Sequence, residues 1–347
     1  MLADRRIWLG IAASALFFAL LLWRTDLSAM GEALASANYL YLAPAIGFYF
    51  VSLLFRSLRW RVLLAPFALI RVRRLYPVVL VGYAANNLLP LRLGELVRSY
   101  YLSTRESVRG STALATILVE RVLDGLLLLA LLAGALLALP ASGLGGRLAE
   151  TAGLPGWAVG ALLTAPFAAV LGSILAAAGW PEAFTRITHR LTRLLPGGLA
   201  ERVNGLAGRF LDGFAGLHRP GRLAALAALS LPIWAMEGVM YFIVALGFGL
   251  QEPLGGLRAL AGATVVVVAL SNLATALPSS QGSVGPFELF AALGLSALGV
   301  EAGPAAAYAV VLHAALLLPV IAGGLVALGL AHVRLGELMK TGTGGGG

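Results

Sequence analysis

Apolar residues in this chain fall in long blocks that few polar residues interrupt: Ile7 to Trp23, Tyr39 to Phe55, Thr112 to Leu139, Trp157 to Gly179, Leu223 to Leu250, Leu257 to Leu277 and Ala305 to His332. Each block approaches or exceeds the roughly 20 residues a helix needs to cross about 30 Å of hydrocarbon. The pattern predicts an all-α, polytopic integral membrane protein with about six full spans and two shorter re-entrant or hairpin segments, in two pseudo-inverted halves. The first block follows "MLADRR" and has two readings, a secretory signal ending near "ASA" at Ala35 to Ala37, or a retained first helix. Its length favours the helix.

The pattern breaks in two places, and the breaks resemble each other. The first is "NNLLPLRLGELVRSYYLSTRESVRG", Asn86 to Gly110; the second is "SNLATALPSSQGSVGPFELF", Ser271 to Phe290. Each has an asparagine, a Leu-Pro pair, a glycine four residues after the proline (Pro90 and Gly94; Pro278 and Gly282), and an acid beyond it, Glu95 and Glu288. Non-helical backbone at membrane depth is tolerated only when protein buries it or it lines a wet cavity. Asn86, Asn87, Asn272, Ser279, Ser280 and Gln281 can supply the missing hydrogen-bond partners. Half-helices starting at such breaks would aim partial positive charge inward, toward an anionic group. Two broken segments in corresponding parts of two halves point to a transporter-type site. The plainer alternative is a loop motif recurring in a chain with 43 glycines and 16 prolines.

Composition agrees with the pattern: 59% of the residues are hydrophobic and 12% charged. The net charge of +9 reads as topology rather than nucleic-acid binding, because Lys and Arg concentrate on the cytoplasmic side of membrane proteins. With the N-terminus inside, Arg24, Arg147 and Arg258 fall outside, Arg121 lies within a helix, and the other basic residues, Arg56, Arg59, Arg61 and Arg92 among them, fall inside. Arg74 and Arg92 then share a face, yet Leu75 to Leu89 is too short to cross twice, so a re-entrant hairpin is expected; one short tilted crossing is the alternative. The domain reading is a single unit over about 1–335. Half one covers 1–180, an amphipathic cytoplasmic connector 181–222 and half two 223–335, with 336–347 as a flexible tail. In the connector Leu199, Val203, Leu206, Phe210, Phe214 and Leu217 recur at helical spacing, which suits a helix lying on an anionic leaflet or a plain linker.

Charges inside the apolar blocks are the remaining candidates. In "LVERVLDGL", Glu120 and Asp124 are i and i+4 on one face, and Arg121 is i+3 from Asp124. Each such charge costs at least about 2.5 to 3.5 kcal/mol at the bilayer centre unless paired or wetted. They read either as a substrate path or as an internal lock with Glu95 or Arg98 as partners; Glu237 is a weaker candidate. With no cysteine and four scattered histidines (His189, His218, His313, His332), no metal site and no cofactor are expected.

The stretches "NNLLPLRLGELVRSY", "ER" with "D", and "LPSSQGSVGPFE" resemble the flippase-like family that includes the transmembrane region of lysylphosphatidylglycerol synthase, over roughly residues 5 to 335. The last stretch departs from the family's usual glycine pair, with Ser280 and Gln281 before Gly282. The resemblance implies movement of a polar-headed lipid between leaflets. Fused members carry a soluble aminoacyl-transferase domain after the membrane part; this sequence carries none, so that chemistry is not expected of it. Relatives without that domain occur beside hopanoid, glycolipid and polyprenyl-carrier pathways.

The expected function is therefore a lipid flippase or transporter for an anionic lipid in the bacterial inner membrane, with both termini cytoplasmic. Asn86, Asn87, Arg92, Glu95, Arg98, Glu120, Arg121, Asp124, Asn272 and Glu288 are the candidate substrate-binding residues. Two alternatives stay open: a membrane-embedded enzyme on a lipid-linked substrate, with Glu95, Glu120 or Asp124 as general base, and a non-catalytic scaffold in lipid biosynthesis. The partners expected are the lipid and a lipid-biosynthetic enzyme, without nucleic acid.

Overall fold

The computed structural model describes residues 5–89, 93–138, 180–193, 196–201, 203–205, 208, 220–277 and 279–331. The longer helices there are α1 (Arg5–Trp23), α2 (Leu27–Ser36), α3 (Leu42–Leu64), α4 (Val72–Leu88), α5 (Gly94–Ser103), α6 (Gly110–Ala138), α7 (Pro181–Thr192), α8 (Pro220–Gly247), α9 (Leu257–Ala274), α10 (Pro286–Ala297) and α11 (Ala302–Leu330). The described residues contain no strand.

Among the described residues four stretches are long and apolar enough to cross a membrane: Tyr39–Leu64, Ala224–Gly247, Leu257–Ala274 and Ala302–Leu330. A fifth arises if α1 and α2, bent by 90° at Thr25 and Asp26, count as one span. The 29-residue α6 fits by length but carries Glu120, Arg121 and Asp124. The expected span over Trp157 to Gly179 and most of the connector's amphipathic repeat lie outside the described residues.

One order of helices recurs. A long helix (α3, α8) leads to a helix that ends in a break (α4, α9), then a short helix (α5, α10), then a second long helix (α6, α11). The first long helices pack on each other, α4 packs on α11, and α9 packs on α6. α3 and α8 run antiparallel: the Asn38 N–H donates to the Gly247 carbonyl at 2.8 Å at one end, and Arg59 Nη1 donates to Ser230 Oγ at 2.9 Å toward the other.

Each break closes a helical hairpin. Gly82, Asn86 and Gly94 meet so closely that a side chain at 94 would strike the Gly82 carbonyl and the Asn86 amide, and a Cβ at 82 would lie 2.8 Å from that of Arg98. Both ends of this hairpin lie at one end of the bundle, where Arg74 meets Glu106 at 3.3 Å. In the second hairpin a Cβ at Gly294 would lie 3.2 Å from Leu270 of α9. Its open end faces the opposite way, beside Phe248, whose ring meets Tyr308 at 6.1 Å. The short helices have 10 and 12 residues, a rise of about 15 and 18 Å, roughly half a bilayer.

The second break is held from outside its own hairpin. Gly282, Ser283 and Gly285 take φ of 67°, 59° and 100°, and α1 lies against them. Ser14 Oγ donates to the Val284 carbonyl at 2.6 Å and accepts from the Ser280 N–H at 2.7 Å. α1 thus packs on the second break and on α10. The two breaks meet: a Cβ on Gly282 would stand 3.8 Å from the Asn87 carbonyl.

Candidate functional site

Placed by this scaffold, the charges of α6 separate according to the helix face each occupies. Asp124 turns toward α3 and takes two guanidinium groups, Arg59 Nη1 at 2.8 Å and Arg56 Nη1 at 3.1 Å. Arg56 reaches on to Glu237 of α8, with Nη2 at 2.9 Å from Oε2. Trp234 adds its indole N–H to Asp124 at 3.3 Å and sets its ring 4.9 Å from the Arg56 guanidinium. All four charged side chains are buried. Two cations and two anions balance one another here, the condition under which such burial is tolerated.

One turn earlier on α6, Glu120 Oε2 meets Arg98 Nη1 of α5 at 2.7 Å. The Arg98 guanidinium lies 3.7 Å from the centre of the Trp60 ring, and Trp60 donates to Thr116 at 3.0 Å. This pair fastens the short helix α5 to both α3 and α6. Arg121 points elsewhere: it is exposed and donates to the Tyr83 hydroxyl at 3.0 Å. The i+3 pair with Asp124 is therefore not made, because two arginines of α3 occupy that carboxylate. Glu95, partly buried, accepts from Asn86 Nδ2 at 3.1 Å across the first hairpin.

Pairing does not use up these arginines. Arg56 Nε, Arg59 Nε and Nη2, and Arg98 Nε and Nη2 are buried with no hydrogen-bond acceptor among the described residues, as is Glu120 Oε1 on the acceptor side. A buried polar group left unmade costs roughly 1 to 3 kcal/mol, more when charged. Five nitrogens on three arginines thus find no acceptor among the described residues, and donors of this kind suit an oxygen-rich anion. Guanidinium forks match phosphate oxygens in plane and spacing.

The candidates of the second break form a separate group. Glu288 Oε2 accepts from the Gly285 N–H at 2.7 Å, which ties the start of α10. Its Oε1 lies 2.6 Å from His313 Nδ1 on α11, whose ring stacks on Phe287 at 4.1 Å. Asn272 donates to the Tyr241 hydroxyl at 2.9 Å. Glu288 is thus a helix cap and a histidine partner rather than a member of the arginine cluster. Asn87 stands at the junction of the two breaks, and Arg92 lies outside the described residues.

Reading charges as topology missed the role of Arg56 and Arg59, which are buried in α3. Their signal was present: both sit within "SLLFRSLRWRVLL", an apolar helical stretch, three residues apart and so on one face. His313, in an apolar block without a paired ligand, was likewise passed over. Trp234 and Tyr83 carry no sequence mark of their role.

The family described as Lysylphosphatidylglycerol synthase TM region matches residues 7–324. The chain is 27% identical over 345 residues to Glycosyltransferase AglD of Haloferax volcanii, covering 94% of this chain and 54% of that protein, so it spans about half that relative's length. To a UPF0104 membrane protein of Methanothermobacter thermautotrophicus it is 25% identical over 301 residues, 82% of this chain and 81% of that one. No solved structure matches. A match over nearly the whole chain, carried on a helical bundle with two broken hairpins, places this protein in the lysylphosphatidylglycerol synthase transmembrane-region family.

Proposed function

We propose that the chain carries an anionic-headed lipid between the two leaflets of the bacterial inner membrane. The observation behind this is the set of five buried guanidinium nitrogens without an acceptor on Arg56, Arg59 and Arg98. A purely structural lock would satisfy its own donors, since every unmade bond weakens it. A site for a phosphate keeps them in reserve.

In this reading the two halves, α3–α6 and α8–α11, are inverted copies, and their hairpins are re-entrant from opposite faces. The antiparallel packing of α3 on α8 supports the inversion. The exposed arginines support the sidedness: Arg61, Arg71, Arg73, Arg74, Arg105 and Arg109 cluster at the open end of the first hairpin, while Arg24 and Arg258 are exposed elsewhere. The positive-inside rule makes the first end, and both termini, cytoplasmic. A head group entering beside Arg121 and Tyr83 would meet Arg98 and Arg59 next, with Glu120 and Asp124 exchanging part of their hold on the guanidinium groups for the arriving phosphate. The acyl chains stay in the bilayer. Asn86 and Asn87 serve as neutral polar groups along this route, with Glu95 and Arg92 at its first break, while Asn272, whose amide N–H groups bond Tyr241 and the Val268 carbonyl, and Glu288 shape its second.

The test is reconstitution in liposomes with a panel of phosphatidylglycerol, a polyprenyl phosphate and a hopanoid lipid. Faster transbilayer movement of an anionic lipid of unchanged mass is expected, with Arg98→Ala reducing it most for anionic head groups. A second reading, chemistry on a lipid-linked sugar, draws on the likeness to a glycosyltransferase over most of this chain. Mass spectrometry of the same liposomes decides: a lipid made heavier by a sugar favours that reading. Absence of both movement and mass change overturns both and leaves a scaffold role beside a lipid-biosynthetic enzyme.

A further inference from the structure

Between α6, α8 and α9 lies an open cavity of about 550 Å³, which touches the charged site only at Trp234. Leu127 and Leu131 of α6, Gly238 and Phe242 of α8, and Val265 and Val268 of α9 line it. Its polar lining groups are already engaged: the Thr264 hydroxyl donates to the Leu260 carbonyl at 2.8 Å, and the Trp234 N–H goes to Asp124. Such a cavity offers water nothing to bond and is suited to hydrocarbon. Its size lies within the range of small-ligand sites.

The fold does not require this cavity. The corresponding junction of the other half, where α11 meets α3 and α4, is closed. A Cβ at Gly323 there would stand 3.4 Å from the Phe50 ring and 3.7 Å from Leu80, and one at Gly324 would lie 2.9 Å from the Leu80 carbonyl. Where α3 offers Phe50, α8 offers Ala235 and Gly238, and a Cβ at Gly238 would meet nothing within 4 Å. One junction is packed shut and its counterpart is left open by small residues. A span built only for stability would fill both.

Trp234 links the cavity to the charged site. It forms part of the cavity wall, and the same side chain bonds Asp124 and carries the Arg56 guanidinium over its ring. A site for hydrocarbon and a site for an anion therefore share one residue, an arrangement that fits a molecule containing both. We propose that this cavity is a slot for one hydrocarbon chain of the lipid whose head group the arginines take. The identity of that lipid as cargo rests on the carrier reading above; the slot itself does not.

The full chain in phosphatidylglycerol liposomes, doped with phosphatidylglycerol carrying a photoreactive diazirine in one acyl chain, gives the test. Adducts are mapped by mass spectrometry, with Leu318 and Val326, exposed on α11, as the measure of ordinary surrounding lipid. Adducts at Leu131, Phe242 and Val265 are expected to exceed that measure. Gly238→Phe should lower them roughly tenfold, the effect of about 1.4 kcal/mol, and leave Leu318 and Val326 unchanged. Gly238→Ala, with an equal melting temperature, should keep them. Labelling of the slot no stronger than at Leu318, or unaltered by Gly238→Phe, overturns the proposal. So does a photoreactive residue at position 238 that cross-links to residues 139–179 of the same chain. Transbilayer movement measured alongside separates the two claims. Selective slot labelling without movement supports the slot and removes the carrier reading; movement without slot labelling does the reverse.

Discussion

Asp124 holds two guanidinium groups while Glu120 holds one, and the difference fixes what each substitution should do. Asp124→Asn leaves Arg59 with Ser230 alone and Arg56 with Glu237 alone, so two buried cations lose their common anion. The expected destabilisation is about 3 to 5 kcal/mol, read as a lowered unfolding midpoint in detergent. Glu120→Gln strands only Arg98 and should cost less. The double change Arg98→Leu with Glu120→Leu replaces the pair by apolar groups and should recover most of the stability. Lipid movement should stay lost in that variant, because the spare donors of Arg98 leave with it. Recovery of movement along with stability would reduce the pair to a lock. The pairing on this cluster was only partly legible beforehand. The charges of α6 announced themselves by sitting in an apolar block, and Arg98 was one of the two partners named for them, as Glu120 makes it; the partners of Asp124 depended on which neighbour α6 faces, and local spacing pointed instead to Arg121.

At the level of elements, the two hairpins depend on different devices, and single side chains should expose this. Gly94→Ala puts a methyl group against the Gly82 carbonyl and the Asn86 amide, which are backbone or hairpin-bound and cannot retreat. The expected result is an unpacked first hairpin with loss of folded protein on size-exclusion chromatography. The second break relies on α1. Ser14→Ala removes both the donor to Val284 and the acceptor for the Ser280 N–H, a cost of about 1 to 3 kcal/mol. Hydrogen exchange should show it as faster exchange at Ser280, with α4 and α5 unaffected. Both breaks were visible in the sequence, since Asn, Leu-Pro and Gly at matched spacing interrupt apolar runs twice. The bracing of the second by a helix some 270 residues away was not, since a serine in an apolar helix has no local mark of its partner.

For the whole molecule, contact between the two breaks is the feature most open to attack. The chain has no cysteine, so Asn87→Cys with Gly282→Cys introduces the only thiols. A short bifunctional maleimide is expected to join them, whereas Asn87→Cys with Gly255→Cys, just before α9 at the open end of the second hairpin, should not be joined. In sealed vesicles, a thiol at Arg74 or Arg105 should react from one side only and a thiol at Arg258 from the other. Reaction of all three from the same side would end the opposed-hairpin reading.

The sequence by itself determined the solvent, the helices and the breaks, because these are local: a run of apolar residues meets hydrocarbon whatever surrounds it, while proline restricts the backbone in place and glycine frees it. It also placed the chain in its family through short motifs. Only the tertiary structure decided that Arg56 and Arg59 are core residues, that Glu288 caps a helix instead of joining them, and that one helix junction is open where its counterpart is shut. Those outcomes depend on which faces meet, and apolar helices in hydrocarbon pair by fine complementarity of small and large side chains rather than by any sign written along one helix.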